Sequence, residues 1–492
     1  MEINLYYYLL LLVLPLIFLI IKHIKSATNL PPGPFPWPVI GNILSMGTKP
    51  HVSLAQLAKS YGPVMSMRLG TQILIVGSSP AAATEILKTN DRVLSARKVV
   101  HALPASPDRL HFSVTWSDCT DQWKYLRTLI RTELFSAKVI ESQGQMRERK
   151  VSEVVEFLRT KEGKPVKIGV IVFNTIFNML SNLLVSRDLI DLHQENEDEG
   201  LKGFVRKFVE LCSCPNLADY YTMLSGLDLQ GLNKKARKMF QEISMIWEVI
   251  IKERRDAQSH GNNLSREPDL LDTMLDRKLT NDHISYLFLE LFLAGTDPST
   301  STVEWAMAEL MKNPNALKIV RSELATEING SVIKESDLSR LPYLQSVVKE
   351  TLRLHPAAPF LLPHRALETC KVMNYTVPKD SQVFVNIWAI GRDPNVWEEP
   401  MSFKPERFLN QSHNDLNSTN IPFIPFGAGR RICPGQPMVA KQVPLVLASL
   451  INCFEWSLPH GVHPTDLDME EAFGIVLQKD KPLILIPQVI LQ

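Results

Sequence analysis

Apolar positions recur in two rhythms along this chain. Between Pro63 and Val76 they come in short segments on either side of Gly70: Val64, Met65, Met67 and Leu69, then Ile73, Ile75 and Val76. That spacing predicts strands. Ala81 to Lys88 reads as a short helix, and Arg92 to Val114, which holds Pro104 and Pro107, as irregular loop. Asp121 to Glu133 carries a helical period. Residues 140–275 read mainly as helices, with polar breaks near 160 and 195 and at Gly261-Asn262-Asn263. His283 to Met311 is the most apolar helical run of the body, with Tyr286 to Leu293 interrupted only by Glu290. A helix apolar on nearly all sides is a buried one.

Another apolar run stands at the front. Leu5 to Ile21 is free of charge and is followed at once by Lys22, His23 and Lys25. This is near the lower length limit of a membrane-spanning helix, and the basic residues favour keeping its C-terminal side in the cytosol. Pro31, Pro32, Pro34, Pro36 and Pro38 follow. Proline fixes φ and restricts its predecessor, so this stretch predicts a stiff, extended spacer. The expected organisation is an anchor over residues 1–25, a hinge over 26–41 and one body over 42–492.

Composition narrows the function classes. The chain has 492 residues, 45% hydrophobic and 21% charged, as in a packed globular protein. Net charge is +1 with no long run of one sign. Nucleic acid is therefore not an expected partner, because phosphate contacts need a clustered basic face. Six scattered cysteines without a C-x-x-C pair make neither a disulfide framework nor a zinc site.

One of those cysteines sits in a special setting: Phe426-Gly427-Ala428-Gly429-Arg430-Arg431-Ile432-Cys433-Pro434-Gly435. Gly429 and Gly435 let a flat partner approach the main chain, and loop amides aimed at the sulfur would keep it anionic. The stretch fits F-x-x-G-x-R-x-C-x-G at every fixed position and resembles the cysteine-ligand loop of the cytochrome P450 family. The resemblance extends over the whole chain. It implies a mainly α fold with small β-sheets, in which haem b lies between a long oxygen-activating helix and the cysteine loop. Cys433 would be the axial thiolate ligand of the haem iron, with Phe426 and Gly435 beside the cofactor. A membrane-bound NADPH-cytochrome reductase would supply electrons, with Lys124 and Arg430 as candidate contacts. The location implied is the endoplasmic reticulum membrane, in contact with its lipid through a single-pass anchor, with the catalytic domain cytosolic.

Other positions gain roles from the same resemblance. Trp123 and Arg127, four residues apart on one helical face, match W-x-x-x-R, a clamp for a haem propionate. Arg365 and Arg431 are further propionate candidates. Glu350, Arg353 and Arg407 match the E-x-x-R and P-E-R-F network that locks the core beneath the haem. Ala294, Phe360, Leu361 and Ile475 are expected to line the substrate pocket.

The largest departure from the family pattern is in the long helix. The usual [A/G]-G-x-[D/E]-T-[T/S] reads Ala294-Gly295-Thr296-Asp297-Pro298-Ser299 here, with Pro298 where an alcohol is usual. Proline cannot donate to the carbonyl of Ala294, so a kink or bulge is expected there. Asp297, Pro298 and Ser299 are the candidate catalytic positions. Asp297 can still pass protons through water, but the relay hydroxyl is missing. Phenol coupling needs no oxygen insertion, which favours a coupling oxidase over a hydroxylase. Stretches such as Trp116-Ser117-Asp118-Cys119-Thr120 resemble the plant group acting on benzylisoquinoline alkaloids, whose members include ring hydroxylases, phenol-coupling enzymes and a relative that rearranges a tropane ester. The implied substrate is a small phenolic alkaloid. Such amines are cationic, so an acidic pocket residue would help, with Asp108 a candidate by position.

Overall fold

The computed structural model describes residues 29–103, 110–192, 200–260, 268–328, 332–409 and 421–490. The expected anchor over residues 1–25 and the acid Asp108 lie outside them. The body is mainly helical with four small sheets among the described residues.

The longest helix, Asn281–Lys312, crosses the middle of the molecule. Thr280 caps its start by accepting the N–H of His283 at 3.3 Å, which satisfies one of the orphan donors of a first turn. The helix continues as α-helix through Pro298. The bulge expected there does not form, although proline cannot donate the hydrogen bond of that turn. Its apolar sides are covered by the helix Ile168–Val185 and the helix Leu232–Ser259. Phe292 stacks on Phe177 at 4.4 Å between ring centroids and on Trp247 at 5.3 Å. Ile168–Val185 is long and apolar enough to cross a membrane, yet it is mostly buried inside the molecule. Here it is a core helix, apolar all round because protein surrounds it.

The five-stranded sheet runs in the order Val64–Leu69, Gln72–Gly77, Gln382–Val385, His364–Arg365, Ala96–Arg97. Its first two strands are the expected hairpin, turning at Gly70 with φ +59°. The proline-rich stretch does not stand away from the body. The Ser66 N–H donates to the Pro32 carbonyl at 2.9 Å, and the Ser66 hydroxyl donates to Pro31 at 2.6 Å. A Cβ on Gly33 would lie 1.8 Å from the Ser66 carbonyl oxygen, so only glycine permits this approach.

Two further elements carry the site. The helix Pro342–Leu354 holds Glu350 and Arg353, both fully buried. Arg353 donates to both carboxylate oxygens of Glu350, at 2.7 and 2.8 Å, and Arg407 adds a third contact at 3.2 Å. The remaining Arg353 donors go to the carbonyls of Gly391, Pro400 and Ser402. The helix Gln436–Cys453 begins three residues beyond Cys433.

Candidate active site

A cavity of about 350 Å³ lies between the long helix and the Cys433 loop. The loop is closed by the Cys433 N–H donating to the Phe426 carbonyl at 2.9 Å. Gly429 takes φ +68°, and a Cβ there would sit 2.0 Å from the Leu87 carbonyl oxygen. The loop can therefore press against its neighbour only with glycine at that position. The Cys433 sulfur faces the cavity. Burial pushes its thiol up, and the N–H groups of Gly435 and Gln436 and the charge of Arg127 pull it back. Such donors stabilise a thiolate.

Three guanidinium groups, those of Arg97, Arg127 and Arg431, border the same cavity. Each donates to backbone carbonyl oxygens. Arg97 donates to Leu362 at 2.8 Å, Arg431 to Ser95 at 2.8 Å and to Ser117, and Arg127 to Ile432. Among the described residues none of the three has a carboxylate partner. Burial lowers all three pKa values, Arg97 to about 9 and Arg127 to about 10. Buried cations without anions are expensive. A cavity edge with three of them beside a cysteine sulfur suits a ligand that carries carboxylates and binds a thiolate.

Several predicted residues take other places. The indole N–H of Trp123 donates to the Val114 carbonyl at 2.9 Å, so it does not aim at the cavity. Its ring instead lies under the guanidinium groups of Arg431 and Arg127, at 4.7 and 5.3 Å, where aromatic faces attract cations. Arg365 pairs with Asp118 and Asp380 at 2.8 Å each, on the outer side of the sheet. Neighbouring strand residues point to opposite faces, so His364 is the one that lines the cavity. His364 donates to the Leu94 carbonyl at 2.6 Å, and burial lowers its pKa to about 3. Phe360 stacks on Phe384 at 4.8 Å in a separate small core and does not reach the cavity. Ala294, Leu361, Phe426, Gly435 and Ile475 do line it.

On the opposite wall, Pro298 and Ser299 line the cavity but Asp297 does not. Burial pushes the Asp297 carboxyl up to about 6. Ser299 accepts from Gln442 at 2.8 Å, Thr296 donates to Phe292 at 2.7 Å, and Thr302 donates to the carbonyl of Pro298 at 2.8 Å. The sequence alone points to neither Arg97 nor Thr302, and it leaves His364 without a ligand role. It also passes over Glu290, a buried carboxylate that lines the cavity and accepts from Val114 N–H at 2.9 Å, Thr115 N–H at 3.3 Å and the Ser113 hydroxyl. A lone charge inside the most apolar helix was the available signal, because buried charges have reasons.

A family model described as Cytochrome P450 matches residues 31–486. The chain belongs to the cytochrome P450 family. It is an oxidoreductase, and the family's cofactor is thiolate-ligated haem b. Among curated P450 relatives, "(S)-N-methylcoclaurine 3'-hydroxylase isozyme 1" of Papaver somniferum is 46% identical, over 94% of this chain and 96% of the relative. "Corytuberine synthase" of Coptis japonica is 44% identical, over 96% of this chain and 97% of the relative. "Geraniol 8-hydroxylase" of Catharanthus roseus is 42% identical, over 94% of both chains. The cysteine loop and the arginine-lined edge described above fit the P450 cofactor in donor type and in charge.

Proposed function

We propose that this P450 oxidises phenolic benzylisoquinoline-type amines, and that it couples phenols without inserting oxygen. Haem, when bound, supplies oxidation by dioxygen with electrons from NADPH. Cys433 would hold its iron, and Arg97, Arg127 and Arg431 its carboxylates, with the Trp123 ring supporting the last two. The long helix presents Pro298 to the bound substrate.

Pro298 is the observation that carries the coupling reading. No alcohol stands at that point of the wall, and the hydroxyls of Ser299, Thr296 and Thr302 are bonded to Gln442, Phe292 and Pro298. A proton needed there comes from water, from the substrate's own phenol, or from Ser299, which only accepts in its bond with Gln442. In coupling, each phenol loses one hydrogen atom and a bond forms between the rings. Those two reducing equivalents, with two from NADPH, take dioxygen to two waters.

Ring hydroxylation is the second reading, favoured by the higher identity to the 3'-hydroxylase than to corytuberine synthase. Labelled dioxygen separates the two. Coupling gives a product short of two hydrogens with no label, whereas label in the organic product overturns it. Pro298→Thr should shift output toward oxygenated product, and an unchanged product ratio would remove Pro298 from the explanation.

The reading places the chain on the endoplasmic reticulum membrane, with NADPH-cytochrome reductase as electron donor. Exposed Phe35, Trp37, Val39 and Leu44 lie on the stretch that the Tyr221 hydroxyl bonds at Val39. Exposed Met223, Leu227 and Leu229 follow Tyr221 in the chain. A joint apolar surface of this kind suits a lipid boundary. Lys124 and Arg430 are solvent-facing, paired only with Asp121 and Asp91, and remain available to an acidic reductase.

A further inference from the structure

The cavity wall is apolar except at a few points, and Glu290 is the single carboxylate among its described lining residues. Its hydrogen-bond donors are all neutral and all belong to residues 113–115. One oxygen takes both backbone N–H groups, and the other takes the Ser113 hydroxyl. The Trp116 N–H donates to the Ser113 oxygen at 2.6 Å, which turns the hydroxyl proton toward Glu290. This donor set suits an ionised carboxylate. Among the described residues no cation pairs with it. Arg431 is close enough to feel its charge, but its own donors go to carbonyls.

Trp116 completes the setting. It is buried, lines the same cavity, and follows directly on the segment that Glu290 holds. An aromatic face beside an anion in apolar surroundings is a good environment for an organic ammonium group. Glu290 stands eight residues before Pro298 on the helix, about 12 Å along its axis at 1.5 Å per residue. That is about the reach of a molecule with two aromatic units.

We propose that Glu290 is the counter-ion that binds the protonated amine of the substrate, with Trp116 on its flank, and so sets which end of the molecule reaches Pro298. The proposal rests on the amine substrate class inferred above. It adds a binding residue to that reading and supplies the acid expected at Asp108.

The test uses the haem-loaded, full-length protein and optical binding titrations. The probes are reticuline, a tertiary amine, and the uncharged N-acetyl derivative of its secondary-amine parent. Wild type should bind the cation more tightly, and Glu290→Gln should weaken the cation at least tenfold while leaving the neutral probe within about twofold. Glu290→Asp should recover part of the preference. Equal weakening of both probes by Glu290→Gln means that the glutamate only clamps residues 113–115, and the proposal falls while the substrate reading stands. No change for either probe overturns it likewise. If wild type binds neither probe, the substrate reading fails and takes the proposal with it. Should Glu290→Gln not hold haem, Trp116→Leu reads the same preference from the other wall, and an unchanged cation-to-neutral ratio there sinks the proposal.

Discussion

Glu350 and Glu290 are buried glutamates on neighbouring helices, 0% and 8% exposed, and they are satisfied in opposite ways. Glu350 meets two arginines and the N–H of Lys404. Its charge is cancelled inside the protein, its geometry is bidentate, and nothing is left over for a ligand. Glu290 meets neutral donors alone, at a cavity wall and without a counter-charge among the described residues. Burial is the same and function is not. A buried carboxylate paired with guanidinium is scaffold, whereas one held by hydroxyl and amide groups has an electrostatic demand unmet within the chain.

The strongest way to break this contrast is to remove charge on the scaffold side. Glu350→Gln leaves Arg353 buried without its anion, a loss of roughly 3–5 kcal/mol. Thermal unfolding and haem content per chain should both fall sharply. If the variant unfolds like wild type and retains its haem, the two glutamates are not different in kind.

The next effect is pH-dependent and belongs to Glu290. Burial pushes its carboxyl up to about 7, against an ordinary value of 4.5, although its hydrogen-bond donors act in the other direction. Between those values the folded chain keeps a proton that the unfolded chain has released. Stability therefore falls as pH rises from about 4.5 to about 7, on the order of 3 kcal/mol in all. Asp297, pushed up to about 6, adds a slope of the same sign. The difference between wild type and Glu290→Gln isolates the first group, and wild type should lose more stability than the variant over that range. Cation binding should run the opposite way, tightening as pH passes about 7 in wild type and staying flat in the variant. Parallel curves for the two proteins would erase the distinction.

The smallest effect concerns the sheet edge. Arg365→Ala removes half-exposed ion pairs and should change stability by less than about 1 kcal/mol, with haem content intact. Arg97→Ala, one strand away, should lower haem retention measurably. Equal loss in both would restore Arg365 to the cofactor site.

Local patterns made much of this legible. The helix Asp121–Glu133 begins and ends where its helical period indicates. The Cys433 loop, the long helix and the Glu350 network are each contained in a short motif. What was not legible depends on pairing between distant segments. The antiparallel match of Arg97 with His364 decides that those two face the cavity together and that Arg365 faces away. No spacing within one segment contains that register. Trp123 was placed on the right helix face, but its N–H partner, Val114, comes from the irregular segment before it. Glu290 stood in plain view as the one charge among eight mostly apolar residues, and its role waited on the loop that meets it.

The stitching of the proline-rich stretch to Ser66 also has a practical side. Val64–Leu69 is an edge strand, and residues 31–33 cover its outer rim at Ser66. A trimmed form for solution work should begin ahead of Asn29. A cut at residue 42 would bare a hydrogen-bonding edge, the feature by which separate sheets find one another and clump.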